Sequence, residues 1–155
     1  MKTTLCYLEQ EDCYLMMHRI KKKDDINEGK WIGLGGKFIG NESPEDCLLR
    51  EIKEEINVEL LEYVLRGVIT FINQNNYTET MYLYNATKFL GDVDLNCSEG
   101  ELAWVCKDSL MNLPIWEGDK YFLEKLIKGE PFFTMKLCYN GDKLIEAYCN
   151  DEKIK

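Results

Sequence analysis

Gly36-Lys37-Phe38-Ile39-Gly40-Asn41-Glu42, followed by Ser43-Pro44-Glu45-Asp46-Cys47-Leu48-Leu49 and Arg50-Glu51-Ile52-Lys53-Glu54-Glu55-Ile56-Asn57-Val58, is the stretch that decides the fold. At roughly 100° per residue in a helix, Glu51, Glu54 and Glu55 fall within about 100° of one another. Leu48, Leu49, Ile52 and Ile56 occupy a separate apolar stripe of about the same width. Like charges at i,i+3 and i,i+4 cost a few tenths of a kcal/mol each on a bare helix. A chain that gathers three acids on one face, beside the stripe it buries, is arranged to hold a divalent cation there. The competing reading is a solvated acidic face with Arg50 and Lys53 as partners; the flanking glycines and the spacing tell against it.

The local chemistry supports a helix over about 44–56. Ser43-Pro44-Glu45-Asp46 places serine at the N-cap, proline at N1 and acids in the first turn. Asn57 stands where a left-handed residue would end the helix, and asparagine is the next-best residue after glycine for that role. Gly33, Gly35, Gly36 and Gly40 make the preceding segment a tight loop–strand–loop in which backbone approaches a ligand closely.

The segment resembles the Nudix box: a glycine, five residues, a glutamate, seven residues, Arg-Glu, an aliphatic, any residue, Glu-Glu, any residue, a glycine and an aliphatic. Every fixed position is matched except the last glycine, which is Asn57 here. The resemblance implies an α/β protein with the Nudix fold, a mixed β-sheet between helices. Lys30-Trp31-Ile32-Gly33-Leu34-Gly35-Gly36-Lys37, Trp116-Glu117-Gly118-Asp119, Phe132-Phe133 and the tail through Tyr139-Asn140-Gly141-Asp142-Lys143-Leu144 are similar to the MutT/MutX and mammalian MutT-homologue branch. That branch hydrolyses oxidised purine nucleoside triphosphates such as 8-oxo-dGTP, sanitising the nucleotide pool. Two departures bear on base recognition. Ile32 replaces an asparagine that contacts the base in the mammalian enzymes, and Gly118-Asp119 replaces an Asp-Asp pair.

Composition bounds the alternatives. The 155 residues suit one domain spanning the chain, and 45% hydrophobic with 30% charged residues is ordinary for a soluble globular protein. No apolar run reaches the ~20 residues of a membrane span, and Met1-Lys2-Thr3-Thr4-Leu5 opens no signal-peptide core. Seven scattered cysteines form no CxxC pair and His18 is the only histidine, so a Cys/His zinc site is not expected. Free thiols in a reducing cytoplasm are the expectation. A formal charge of −9 argues against long nucleic acid as a partner. It leaves room for a nucleotide, since a bound cation inverts the local sign.

Strands are expected over Thr3 to Leu8, Cys13 to Ile20, Leu34 to Ile39, Leu60 to Ile72, Thr78 to Phe89, Leu102 to Cys106, Phe132 to Tyr139 and Lys143 to Cys149. Turns fall at Glu9 to Asp12, Asn73 to Asn76 and Asn140-Gly141-Asp142. Ile20 to Lys30 reads as a charged loop containing Lys21-Lys22-Lys23. A second helix over Gly118 to Lys128 should bury Tyr121, Phe122, Leu123 and Leu126. Without strict βαβ alternation the sheet should be mixed.

Carried over from the family, Glu51, Glu54 and Glu55 with the Gly36 carbonyl hold Mg²⁺, with Mn²⁺ as a substitute, or one glutamate serves as general base. Arg50 would orient a glutamate from outside the metal's ligand shell, and Glu42 would support the loop. A further acid often completes such sites; Glu99 is the leading candidate and Glu101 its rival. Arg19, Gly35 and Lys37 are candidates for the phosphates, and Trp116 with Asp119 for the base. Trp31 and Trp104 are read as core or pocket wall, and His18 as structural. The expected reaction splits a nucleoside triphosphate into monophosphate and pyrophosphate. The alternatives are another nucleoside diphosphate derivative as substrate, or a non-catalytic nucleotide sensor. The protein is expected to be a monomer or homodimer.

Overall fold

The computed structural model describes residues 1–21 and 23–155; Lys22, in the expected charged loop, lies outside the described residues. The strands are β1 (Lys2–Gln10), β2 (Cys13–His18), β3 (Trp31–Ile32), β4 (Leu34–Lys37), β5 (Glu59–Asn73), β6 (Tyr77–Leu90), β7 (Glu101–Cys106), β8 (Phe133–Asn140), β9 (Lys143–Cys149) and β10 (Glu152–Lys153). The helices are α1 (Pro44–Ile56) and α2 (Asp119–Ile127), with a 3₁₀ segment at Lys107–Asn112. Along the sheet the order is β10-β9-β8-β5-β6-β1-β2-β3, with β4 also on β1 and β7 on β2. The β1–β6 and β5–β8 pairs are parallel and the rest antiparallel, which makes the sheet mixed.

Period-two alternation divides the core into two layers. Tyr7 of β1 faces a cluster with Ile69, Phe71, Leu83, Trp116, Phe122 and Leu137, covered by α2. Its neighbours Cys6 and Leu8 face Leu48, Ile52, Ile56 and Val58, covered by α1. The sheet therefore lies between the two helices, as the Nudix fold requires. No described helix is long and apolar enough to cross a membrane.

The ends of α1 form as their sequence directs. Ser43 Oγ accepts from the Asp46 amide at 3.0 Å, and Asp46 Oδ2 accepts from the Ser43 amide at 3.2 Å, a reciprocal capping box. Asn57 ends the helix at φ 58°, ψ 40°. Tight turns at Glu11-Asp12 and Gly141 also adopt positive φ.

Several boundaries differ from expectation. β2 stops at His18 rather than Ile20, where the chain turns into the loop to β3. β4 ends at Lys37, before an exposed Ile39. The second helix begins at Asp119, with Gly118 as its cap, and Tyr121 is half-buried against the core rather than inside it. The short β3 and β10 and the 3₁₀ segment carry too few residues to show a period in sequence.

Candidate active site

Helix α1 lies across β4 and β1, and the residues beneath its acids are glycines. A Cβ on Gly36 would stand 2.5 Å from Glu51 Cδ. A Cβ on Gly35, whose φ is +141°, would stand 2.0 Å from the Thr4 carbonyl oxygen. The bare Gly36 backbone thus makes room for Glu51, and the absence of a side chain at Gly35 lets β4 pair closely with β1. The Gly35 amide donates to Glu55 Oε1 at 3.0 Å. The Gly36 carbonyl accepts from the Cys47 thiol at 3.5 Å.

Arg50 collects the other carboxylates. Its Nε and Nη2 bind both oxygens of Glu42 at 2.7 and 2.9 Å, a bidentate pair. Nη1 donates to Glu51 Oε1 at 2.8 Å and to Glu54 Oε2 at 3.2 Å, and Nη2 also reaches the Lys37 carbonyl at 3.0 Å. The Arg50 hydrogen bond, helped by the Ile39 amide, holds the Glu42 carboxyl down at about 2. Glu42 thereby anchors the loop between β4 and α1.

Glu55 behaves oppositely. Burial pushes its carboxyl up to about 8; the Gly35 hydrogen bond opposes this, while the charges of Glu51 and Glu99 add to it. Of the two candidate completing acids, Glu99 is the one whose charge reaches Glu55; Glu101 sits opposite His18 on the β2–β7 ladder. Glu99 lies in the loop before β7 and is held 3.5 Å from Arg19 Nη1, while Arg19 Nε stands 2.7 Å from Asp25 Oδ2. The Arg19 guanidinium thus faces two carboxylates, which ties the Glu99 loop to the end of β2.

Crowded carboxylates with a carbonyl beside them are a hard-oxygen donor set, which suits Mg²⁺ or Mn²⁺. Among the described residues no three His, Cys, Asp or Glu side chains already converge on one point. The reason is visible in the hydrogen bonds: Arg50 draws Glu51 and Glu54 towards itself, while Gly35 holds Glu55. Lys37 is exposed beside this group, and among the described residues its ammonium makes no ion pair.

The aromatic group expected to meet a base lies on the α2 side of the sheet. Trp116 is 5% exposed, its Nε1 donates to Asn27 Oδ1 at 2.8 Å, and Phe71 and Tyr139 pack edge-on against it at 5.5 and 5.2 Å. The Lys30 ammonium sits 4.4 Å from the indole centroid. Asp119, the first residue of α2, is buried, and burial together with Glu79 pushes its carboxyl up to about 8 against the opposing pull of Lys30. At neutral pH it is mainly protonated, able both to donate and to accept. Residues 30–37 run from Lys30 over Trp116 to Gly36 under Glu51, so one extended segment links the aromatic group to the acids.

His18 stacks on Trp31 at 4.6 Å, a structural contact, and Trp104 packs half-buried in the α1-side layer. Sequence reasoning missed Asn27, Lys30 and Glu79. Glu79 accepts from Thr3 Oγ1 at 2.6 Å and from the Tyr77 hydroxyl at 2.5 Å. Its signal was present: a charged residue in the inward register of β6, between Tyr77 and Met81. Asn27 and Lys30 lie in a loop with no period to betray them.

A family model described as the NUDIX domain matches residues 2–126. The Nudix hydrolase YvcI of Bacillus subtilis (strain 168), itself uncharacterized, is 29% identical over 151 residues, covering 95% of this chain and 92% of the relative. A crystal structure of a mutator MutT protein from Bacillus halodurans is similar with a TM-score of 0.86 and 23% identity, over 97% of this chain and 98% of that one. The NUDIX domain of Shewanella oneidensis NrtR, solved with ADP ribose, is similar with a TM-score of 0.64 and 16% identity, over 83% and 87% of the two chains. These likenesses between structures are likenesses of fold.

Proposed function

This chain belongs to the NUDIX domain family, and from that premise we propose that it is a Mg²⁺-dependent nucleoside triphosphate pyrophosphohydrolase of the cytoplasm that prefers 8-oxo-dGTP. Nudix hydrolases act on phosphoric anhydrides, small nucleotide substrates among them. The observation that carries the choice of base is Asp119, a buried carboxyl beside Trp116 that keeps its proton near neutral pH. An oxidised guanine presents an added oxygen at C8 and a hydrogen at N7, so an edge that both donates and accepts matches it. Stacking on an indole, worth ~1–3 kcal/mol, favours any base and does not discriminate.

Glu51, Glu54, Glu55 and the Gly36 carbonyl would hold the cation, with Glu99 completing the set. When bound, Mg²⁺ supplies charge neutralisation at the phosphoryl oxygens and acidifies a water. Arg50 sets the rotamers of Glu51 and Glu54 and ties them to Glu42. One of Glu51, Glu54 and Glu55 serves instead as general base for the attacking water, and the Gly35 amide holds Glu55 beside the others. Lys37 and the Gly35–Gly36 backbone offer contacts to the phosphates. The nucleoside monophosphate and pyrophosphate leave as products.

The test is hydrolysis of normal and oxidised triphosphates, a nucleotide sugar and a dinucleotide, each with and without magnesium, by wild type and Asp119→Ala. Asp119→Ala should raise KM for 8-oxo-dGTP far more than for a pyrimidine triphosphate. Equal losses on every substrate would reduce Asp119 to a supporting role and remove the basis for an oxidised purine.

A further inference from the structure

We propose that Cys13 and Cys106 constitute a thiol-oxidation site, forming a reversible disulfide between β2 and β7 on reaction with a small disulfide such as glutathione disulfide. The two sulfurs lie 3.3 Å apart, and the residues face each other directly in the antiparallel register. At the adjacent position the Lys107 amide donates to the Asp12 carbonyl at 3.0 Å. That makes Cys13–Cys106 the non-hydrogen-bonded kind of pair, in which opposite Cα atoms are ~4.5 Å apart and side chains are closest. Disulfides span Cα separations of about 4.4–6.8 Å, so the backbone already meets the requirement. The covalent bond would bring the two sulfurs from 3.3 Å to ~2.05 Å.

Accessibility separates this pair from the other thiols. Cys106 is exposed and Cys13 half-exposed, whereas Cys6, Cys47, Cys97 and Cys149 are buried. Cys138, the remaining half-exposed thiol, stands opposite Glu146 on the β8–β9 ladder, with no sulfur across from it.

The reaction balances without a further reagent. The Cys106 thiolate attacks one sulfur of glutathione disulfide; a protein–glutathione bond forms, the glutathione S–S bond breaks, and the departing thiolate takes a proton. The Cys13 sulfur, deprotonated, then attacks Cys106 Sγ and displaces the second glutathione. Two protein thiols are oxidised and one glutathione disulfide is reduced to two thiols. The bond closes a loop of about 90 residues that includes α1 and β3 to β6, which restricts the unfolded chain. It lies at the end of β2 opposite His18 and Glu101, away from Glu99, so basal activity should be unaffected.

The experiment incubates the full chain with glutathione disulfide, quenches with acid and maps the peptides by mass spectrometry. The expected product has lost about 2 Da, carries one cross-link between Cys13 and Cys106, and keeps no glutathione. Its melting temperature should rise by roughly 5–15 °C, and dithiothreitol should reverse the change. Cys13→Ser should stop at a glutathione adduct on Cys106 with no such rise. A wild-type protein that stays reduced, stops at the same adduct, links either sulfur to Cys138, or gains no thermal stability on cross-linking overturns the proposal.

Discussion

The Gly35 amide and the Glu55 carboxylate, 20 residues apart, meet in a hydrogen bond of 3.0 Å that joins β4 to α1. On a helical wheel Glu51 and Glu55 fall between Cys47 and Leu48, both fully buried, so these acids lie inside the packed arc of the helix rather than beside it. The bare Gly36 backbone gives Glu51 its space, and the Gly35 amide meets Glu55.

Substituting the two glycines should separate site from fold. In Gly36→Ala the new methyl meets the flexible end of Glu51 at 2.5 Å, which swings away. The melting temperature should hold within a few degrees while the magnesium concentration for half-maximal activity rises roughly tenfold or more. Gly35→Ala meets rigid backbone at 2.0 Å in a conformation unsuited to alanine, so it should lose roughly 2–4 kcal/mol in urea unfolding. Equal stability for the two variants would contradict this division, Gly36 serving Glu51 and Gly35 the pairing of β4 with β1.

Glu54→Gln should keep the fold, because its side chain is 58% exposed and a neutral isostere relieves repulsion with Glu51. Its kcat should nevertheless fall by roughly two orders of magnitude or more through loss of a metal ligand. Thermal stability without metal should be unchanged or slightly higher. Near wild-type turnover would remove Glu54 from the ligand set.

Arg50→Lys should not rescue what Arg50→Ala loses. One ammonium cannot reproduce the fork that reaches both Glu42 oxygens, Glu51, Glu54 and the Lys37 carbonyl. Both variants should lower kcat/KM by roughly tenfold to a hundredfold. Retention of activity in the lysine variant alone would show that charge suffices and geometry does not matter.

Stability of the metal-free protein should depend on pH through Asp119. Its carboxyl is raised from 3.8 to about 8, so the folded chain keeps a proton that the unfolded chain releases. The associated stability is complete below the unfolded value and is lost as pH rises towards about 8. Glu55, raised from 4.5 to about 8, acts in the same direction. Asp119→Asn should therefore melt higher than wild type at pH 8, with the difference narrowing towards pH 4. Parallel melting curves across that range would mean that Asp119 is ionised in the fold.

Much of this protein could be read directly from its sequence. The capping box at Ser43 and Asp46, the left-handed stop at Asn57, the hairpin at Gly141-Asp142 and the alternation of β1 are local, and neighbouring residues dictate them. The acid triplet was legible for the same reason, since helical spacing is a property of the chain alone. The tertiary structure decided what spacing cannot encode. It buried Glu55 and so raised its carboxyl against the pull of the Gly35 hydrogen bond, and it brought the charge of Glu99 rather than Glu101 to bear on it. It turned Arg19 onto Asp25 and Glu99, and set Lys30 and Asn27 against Trp116. Each of these depends on which distant segments share a surface, and burial and electrostatic coupling arise only once those segments pack together.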